Sequence, residues 1–180
     1  MHAHGDELLR QAEAMEGYFE VVVDTLEAAG YRWYETANFC REGRRARHNL
    51  AYWEGRDYLG LGVGAVSTVG GRRWRNYPAL TAYVAALTAG RRPRRELEAV
   101  GGSVRRRERL MLGLRLDEPV PLAAVGDAVD VAGIARLEDL GLAERRGAGL
   151  VLTRRGRMLG GGATVELLAE IPANRPIAAG

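Results

Sequence analysis

The 180-residue sequence predicts an α+β fold, an incomplete α/β layer at the front and a helical domain with one hairpin at the back. Three observations predict it. The front holds one amphipathic helix and two short apolar runs that read as strands, and two strands alone do not make a stable sheet, so this layer reads as cut from something larger. A basic run, Arg91-Arg92-Pro93-Arg94-Arg95, then breaks the pattern. Beyond it the periodicity becomes helical and ends in a hairpin signal.

In order along the chain, Leu8, Ala12, Met15, Phe19, Val22 and Leu26 recur at helical spacing, and Gly30 supplies the stop. Tyr31–Thr36 is short and aromatic-rich, which favours a strand. Arg41–Arg45 is polar and reads as a loop. Tyr58–Val63 reads as a second strand running into a glycine-rich turn. Pro78 opens a helix with Leu80, Tyr83, Val84 and Leu87 on one face and Gly90 at its end. The domain boundary is placed just after Arg95. Then Leu110, Met111 and Leu114 mark one helix, Leu122, Val125 and Val129 a second, and Ile134, Leu137 and Leu140 a third stopped by Gly141. Leu142–Glu144 and Leu150–Leu152 flank a turn, and Thr153 caps a last helix with Met158 and Leu159. Three helices, a hairpin and a helix describe a winged-helix-like domain.

Composition excludes several classes. With 47% hydrophobic and 27% charged residues the chain is globular rather than disordered. No apolar run approaches the roughly 20 residues of a bilayer span, and the first residues lack a basic stretch followed by an apolar one, so no signal peptide is expected. A single cysteine fits a reducing cytoplasm, and a net charge of +3 permits an anionic partner without requiring one. The 24 glycines cluster at Gly60–Gly71 and Gly160–Gly162, where special backbone conformations are expected.

The most specific run is Arg47-His48-Asn49-Leu50-Ala51-Tyr52-Trp53. It stands in one order with Tyr34-Glu35-Thr36-Ala37-Asn38-Phe39, Tyr58–Ser67, Arg75-Asn76 and Glu108–Arg115. That order, from about Asp6 to Leu168, resembles the C-terminal half of the oxygen-independent coproporphyrinogen III oxidase-like radical SAM family, and within it the HemW-type haem chaperones. The resemblance implies residues 1–95 as the end of an incomplete α/β barrel, 96–170 as a HemN C-terminal-like winged-helix domain, and 171–180 as a flexible tail. It implies haem contact at His48, Asn49, Tyr52 and Trp53, with His48 on the iron. It also places Ala65 and Val66 near S-adenosylmethionine in a complete protein, although Val66 stands where many relatives have histidine. Acceptor haemoproteins and a separate or truncated N-terminal radical SAM half are the implied partners.

The residues support part of this directly. An imidazole is a common axial ligand for haem iron, and tyrosine and tryptophan stack on a porphyrin. Arg41, Arg44, Arg45 and Arg47 suit propionates. The plainer reading makes His48 a loop histidine and Tyr52 and Trp53 core aromatics. The family's [4Fe–4S] cluster needs three thiolates from C-x-x-x-C-x-x-C, and this chain has only Cys40, so cluster and S-adenosylmethionine chemistry by this chain alone is not expected. Cys40 reads as a buried small hydrophobe, or alternatively as a haem ligand. Gly60–Ala65 matches a dinucleotide fingerprint in letters, but no helix opens there and no acid follows, so a nicotinamide site is rejected. Ile134–Leu140 and Arg145-Arg146 would be the recognition helix and wing of a DNA-binding module. Glu138 and Asp139 on that helix argue against phosphate contact.

Overall fold

The computed structural model describes residues 17–170. Leu8, Ala12, Met15 and the tail at 171–180 lie outside them. The first helix, α1 (17–28), ends where Gly30 turns to φ +82°. There the Gly30 N–H donates to the Glu27 carbonyl and the Tyr31 N–H to that of Leu26, both at 2.9 Å. Its buried stripe runs through Val23, fully buried, and not through Val22, which is 45% exposed. With three consecutive valines, both choices satisfy helical spacing, and only packing decides. Strands β1 (Arg32–Glu35) and β2 (Asn38–Cys40) form an antiparallel hairpin that buries Trp33, Tyr34 and Cys40. A short helix, α2 (Arg47–Trp53), follows the polar loop.

The second expected strand is corrected. Of Tyr58–Val63 only Tyr58 pairs, bridging Thr68, and the rest is an irregular loop in which Gly62 and Gly64 take φ +110° and +70°. The strand lies further on, as β3 (Val66–Val69), which turns at Gly70–Gly71 into β4 (Arg72–Asn76). Both turn glycines have positive φ, the geometry that suits a two-residue hairpin. Helix α3 (Leu80–Thr88) then leads to β5 (Arg95–Glu98), completing an antiparallel sheet in the order β3-β4-β5. The boundary expected after Arg95 therefore falls inside β5.

The rest is α4 (Gly102–Gly113), β6 (Val120–Pro121), α5 (Leu122–Val125), a 3₁₀ turn, α6 (Val131–Asp139), the hairpin β7 (Ala143–Arg146) and β8 (Gly149–Leu152), then α7 (Arg154–Met158) and α8 (Gly160–Leu167). The sheet order is β6-β8-β7. Asp130 caps α6 by accepting from the N–H groups of Ala132 and Gly133, and Thr153 caps α7 by accepting from Gly156. Gly160–Gly162 form the first turn of α8 with ordinary φ, against the expectation of a special conformation. The main core joins Leu110, Leu114, Val120, Val125, Ile134, Leu137, Leu150 and Leu167. Met111 and Leu140, expected on inner faces, are 47% and 59% exposed.

Residues 17–40 pack against this C-terminal body. Arg154 pairs with Asp24 and Glu27, Arg32 with Asp117 at 2.6 Å, and the Asp117 N–H donates to the Tyr34 carbonyl. Arg157 lies 3.8 Å over the Trp33 ring and donates to its carbonyl at 2.9 Å. Burial pushes the Arg157 guanidinium down to about 10. Between Cys40 and Leu110 the situation is different: no hydrophobic side chain there is buried, and Ser67 and Asn76 are the buried ones. Every strand pair among the described residues is antiparallel.

Candidate functional site

Helix α2 sets the site. Its N-terminus has no side-chain cap, but the Ala46 N–H donates to the Tyr34 hydroxyl at 3.2 Å, which ties the helix start to β1. His48 and Tyr52 are one turn apart and share a face. Their rings meet edge to face at 4.8 Å, and Tyr52 meets Tyr58 in the same way at 4.6 Å. These three rings form one wall of an open cleft of about 540 Å³, and Leu59, Leu61, Ala65 and Val66 form the other. The cleft therefore unites His48 and Tyr52 with Ala65 and Val66, two groups that the sequence placed in separate sites.

The glycine loop on the far wall is held by side chains. Ser67 Oγ accepts from the Gly60 N–H at 2.9 Å, and the Tyr83 hydroxyl accepts from the Gly62 N–H at 3.0 Å. Asn76 Nδ2 donates to the Gly62 carbonyl at 2.8 Å, and Arg75 Nε to that of Gly64 at 3.2 Å. At Gly60 a Cβ would stand 2.1 Å from the Val66 carbonyl oxygen, so only glycine allows this loop to lie against β3. Ser67, Asn76, Tyr83 and Tyr58 had no site role in the sequence reading. The available signal was a glycine-rich run whose exposed peptide groups need partners, beside a serine and an asparagine that could supply them.

Trp53 is not in the cleft. It points to the C-terminal body, where the Arg115 guanidinium lies 4.2 Å over its ring and Arg109 donates to its carbonyl at 3.2 Å. Asn49 is half-buried and outside the cleft lining, and Cys40 is buried in β2. Of the four arginines, Arg45 is committed to Asp117 and Glu118. Burial opposes its charge, but the hydrogen bond from Arg45 to Glu118 and the nearby Asp117 carboxylate raise its pKa. Arg41 stacks on Tyr31 at 5.2 Å. Arg44 and Arg47 are exposed and make no ion pair among the described residues. The cleft thus offers one imidazole, two phenol rings and apolar walls, with the exposed Arg44 and Arg47 on the adjoining segment.

The fold and site define a class: an α+β chain whose residues 103–159, from α4 to α7, match the HemN C-terminal domain family. It is 40% identical over 141 residues to the heme chaperone HemW of Mycobacterium tuberculosis, covering 78% of this chain and 36% of that protein. It is 30% identical over 160 residues to that of Bacillus subtilis, covering 85% and 42%. The solved structure of the radical SAM enzyme coproporphyrinogen III oxidase (HemN) from Escherichia coli superposes with a TM-score of 0.59 at 20% identity, over 82% of this chain and 39% of that one. Residues 103–159 thus belong to the HemN C-terminal domain family, and the chain as a whole is similar to the C-terminal portion of HemW-type proteins and spans less than half the length of these relatives. No helix among the described residues is long and apolar enough to cross a membrane.

Proposed function

We propose that this chain is the haem-handling C-terminal portion of a HemW-type haem chaperone acting in a reducing cytoplasm. The observation that carries this reading is the exposed His48 imidazole on the same wall as Tyr52 and Tyr58, at a cleft of about 540 Å³. That volume lies within the range of small-molecule sites. His48 would ligate the haem iron, the two tyrosines would flank the macrocycle, and Arg44 and Arg47 would pair with its propionates. Trp53 would act by seating α2 on the C-terminal body. Relatives named heme chaperones support haem as the cargo.

A [4Fe–4S] cluster does not fit these residues. The sequence holds one cysteine, buried in β2 away from the cleft, and no group of three His, Cys, Asp or Glu stands together among the described residues. Radical chemistry would need a partner half carrying the cluster thiolates. Ala65 and Val66 would face S-adenosylmethionine only in that completed protein. Membership in a coproporphyrinogen III oxidase is the second reading, favoured by the HemN fold likeness alone. The elements α4 to α8 would form a winged-helix domain used for packing. Its candidate recognition helix has Arg136 held by Asp130 and Glu166, and Glu138 facing Arg145, which leaves little charge for nucleic acid.

Hemin titration tests the haem reading. The wild type should give a saturable Soret shift, His48→Ala should bind more weakly with a displaced band, and Cys40→Ala should change little. Superimposable titrations and spectra for wild type and His48→Ala would remove His48 as the ligand.

A further inference from the structure

Helix α3 carries no charged side chain on any face: it reads Leu80-Thr81-Ala82-Tyr83-Val84-Ala85-Ala86-Leu87-Thr88. A helix of that composition is normally enclosed by other elements. Here none of its residues is buried: Leu80 and Val84, 64% and 50% exposed, line a shallow groove with Ala85 and Ala89, and Leu87, one turn on from Val84, is 52% exposed. The neighbouring loop and sheet continue the pattern, with Leu61 at 83% and Leu97 at 81% exposure. The whole segment from Arg41 to Arg109 buries no hydrophobic side chain, whereas Val23, Trp33, Tyr34 and Cys40 are buried before it and a closed core runs from Leu110 to Leu167 after it. Isolated exposed leucines need no explanation, but an uncharged helix with an open apolar face beside an uncored sheet does.

We infer that the α3 face of Leu80, Val84 and Leu87 is an interface for the polypeptide that makes up the remaining length of the relatives, covalently attached or supplied as a second chain. The occupant is identified by length. This chain accounts for 36% and 42% of the two chaperone relatives, and its match to the HemN C-terminal domain puts it at their trailing end. A preceding polypeptide of more than half the whole is therefore the body available to cover an apolar layer. A second copy of this chain is the competing occupant. The inference rests on the family relationship and not on haem binding, so its test uses no haem.

In a Cys40→Ala background, Val84→Cys and Leu87→Cys report the face by maleimide labelling, and Arg146→Cys at the exposed end of β7 is the open control. In the 180-residue chain both face cysteines should label as fast as the control, with a monomeric mass by light scattering. The same chain is then fused to, or co-expressed with, the portion of the Mycobacterium tuberculosis relative that precedes the matched region. There the face cysteines should label at least tenfold more slowly while the control is unchanged. Undiminished labelling in both the fused and the co-expressed forms would overturn the inference. Protection in the 180-residue chain alone, with a dimer mass that Val84→Arg abolishes, would overturn it in favour of the second copy.

Discussion

Gly156 has no space for a side chain, because a Cβ there would lie 1.7 Å from the Leu142 carbonyl oxygen. That oxygen is itself fixed, since it accepts the Thr153 N–H at 3.0 Å. Gly156→Ala should therefore cost about 1–3 kcal/mol, read as a lower urea midpoint with an unchanged slope. An unaltered midpoint would mean that α7 can shift away at no cost. Leu110, fully buried at the centre of the core, should lose about 2–5 kcal/mol on truncation to alanine. Legibility at this scale was mixed. His48 and Tyr52 were readable only as members of one motif, and the helical turn between them is what brings both to the cleft. Trp53 was grouped with them because no helix had been assigned there. On a helix it stands about 140° around the axis from His48, which is why it meets Arg115 instead of the cleft. Helix α2 escaped notice because it has neither a capping side chain nor a buried residue.

Among the elements, the β3-β4-β5 sheet is attached to α4 by a two-pronged contact, beside which Arg105 of α4 donates to the Gly71 carbonyl at the β3–β4 turn. Arg73 Nη1 and Nη2 donate to the two Glu108 carboxylate oxygens at 2.7 and 2.6 Å. The hydrogen bond from Arg73 is the main cause that holds the Glu108 carboxyl below its ordinary value, against a smaller opposing effect of burial. The folded state thus favours the charged form. The stabilisation is complete above the unfolded carboxyl pKa of about 4.3 and is lost as pH falls through the lower folded value. Glu108→Gln should cost about 1 kcal/mol at neutral pH, a figure kept small by partial exposure of the pair. The variant should also show a weaker loss of stability between pH 5 and 3, on the order of that same 1 kcal/mol. Equal acid sensitivity in both proteins would assign the acid transition to other carboxylates. The sequence misplaced this sheet for identifiable reasons. Leu59, Leu61 and Val63 alternate with glycines as a strand would, yet the positive φ values at Gly62 and Gly64 break any ladder. Strand β5 was hidden because a largely exposed edge strand such as Arg95-Glu96-Leu97-Glu98 shows no apolar alternation.

For the whole molecule, the arginine-rich segment at Arg91–Arg94 has no regular structure and is mostly exposed, so it should be the first site of tryptic cleavage. The expected product is a C-terminal fragment that still unfolds cooperatively, since the main core cluster is drawn from residues 110–167. The N-terminal fragment should stay bound to it in native buffer through Arg154, Arg157 and the buried Trp33 and Tyr34, and separate only in denaturant. Immediate separation on gel filtration would show that residues 17–40 are only loosely seated. Helices α4 and α6 and the β7–β8 hairpin were legible because they bury apolar positions in a shared core, whereas the helix expected through Leu122, Val125 and Val129 shrinks to the four-residue α5 and the last helix divides into α7 and α8. The attachment of the front to the back was not legible, because it depends on pairs far apart in sequence such as Arg154 with Asp24 and Trp33 with Arg157.

That attachment also bears on biosynthesis. Trp33, Tyr34 and α2 leave the ribosome well before Arg109, Arg115, Asp117 and Arg157, the groups that receive them. A nascent chain arrested after β5 would hold the whole His48 cleft sequence with nothing to seat it. Under the proposed haem reading, capture during translation should therefore begin only after the C-terminal body has emerged and closed, which makes the last-made part of the chain the timer for the site encoded ahead of it.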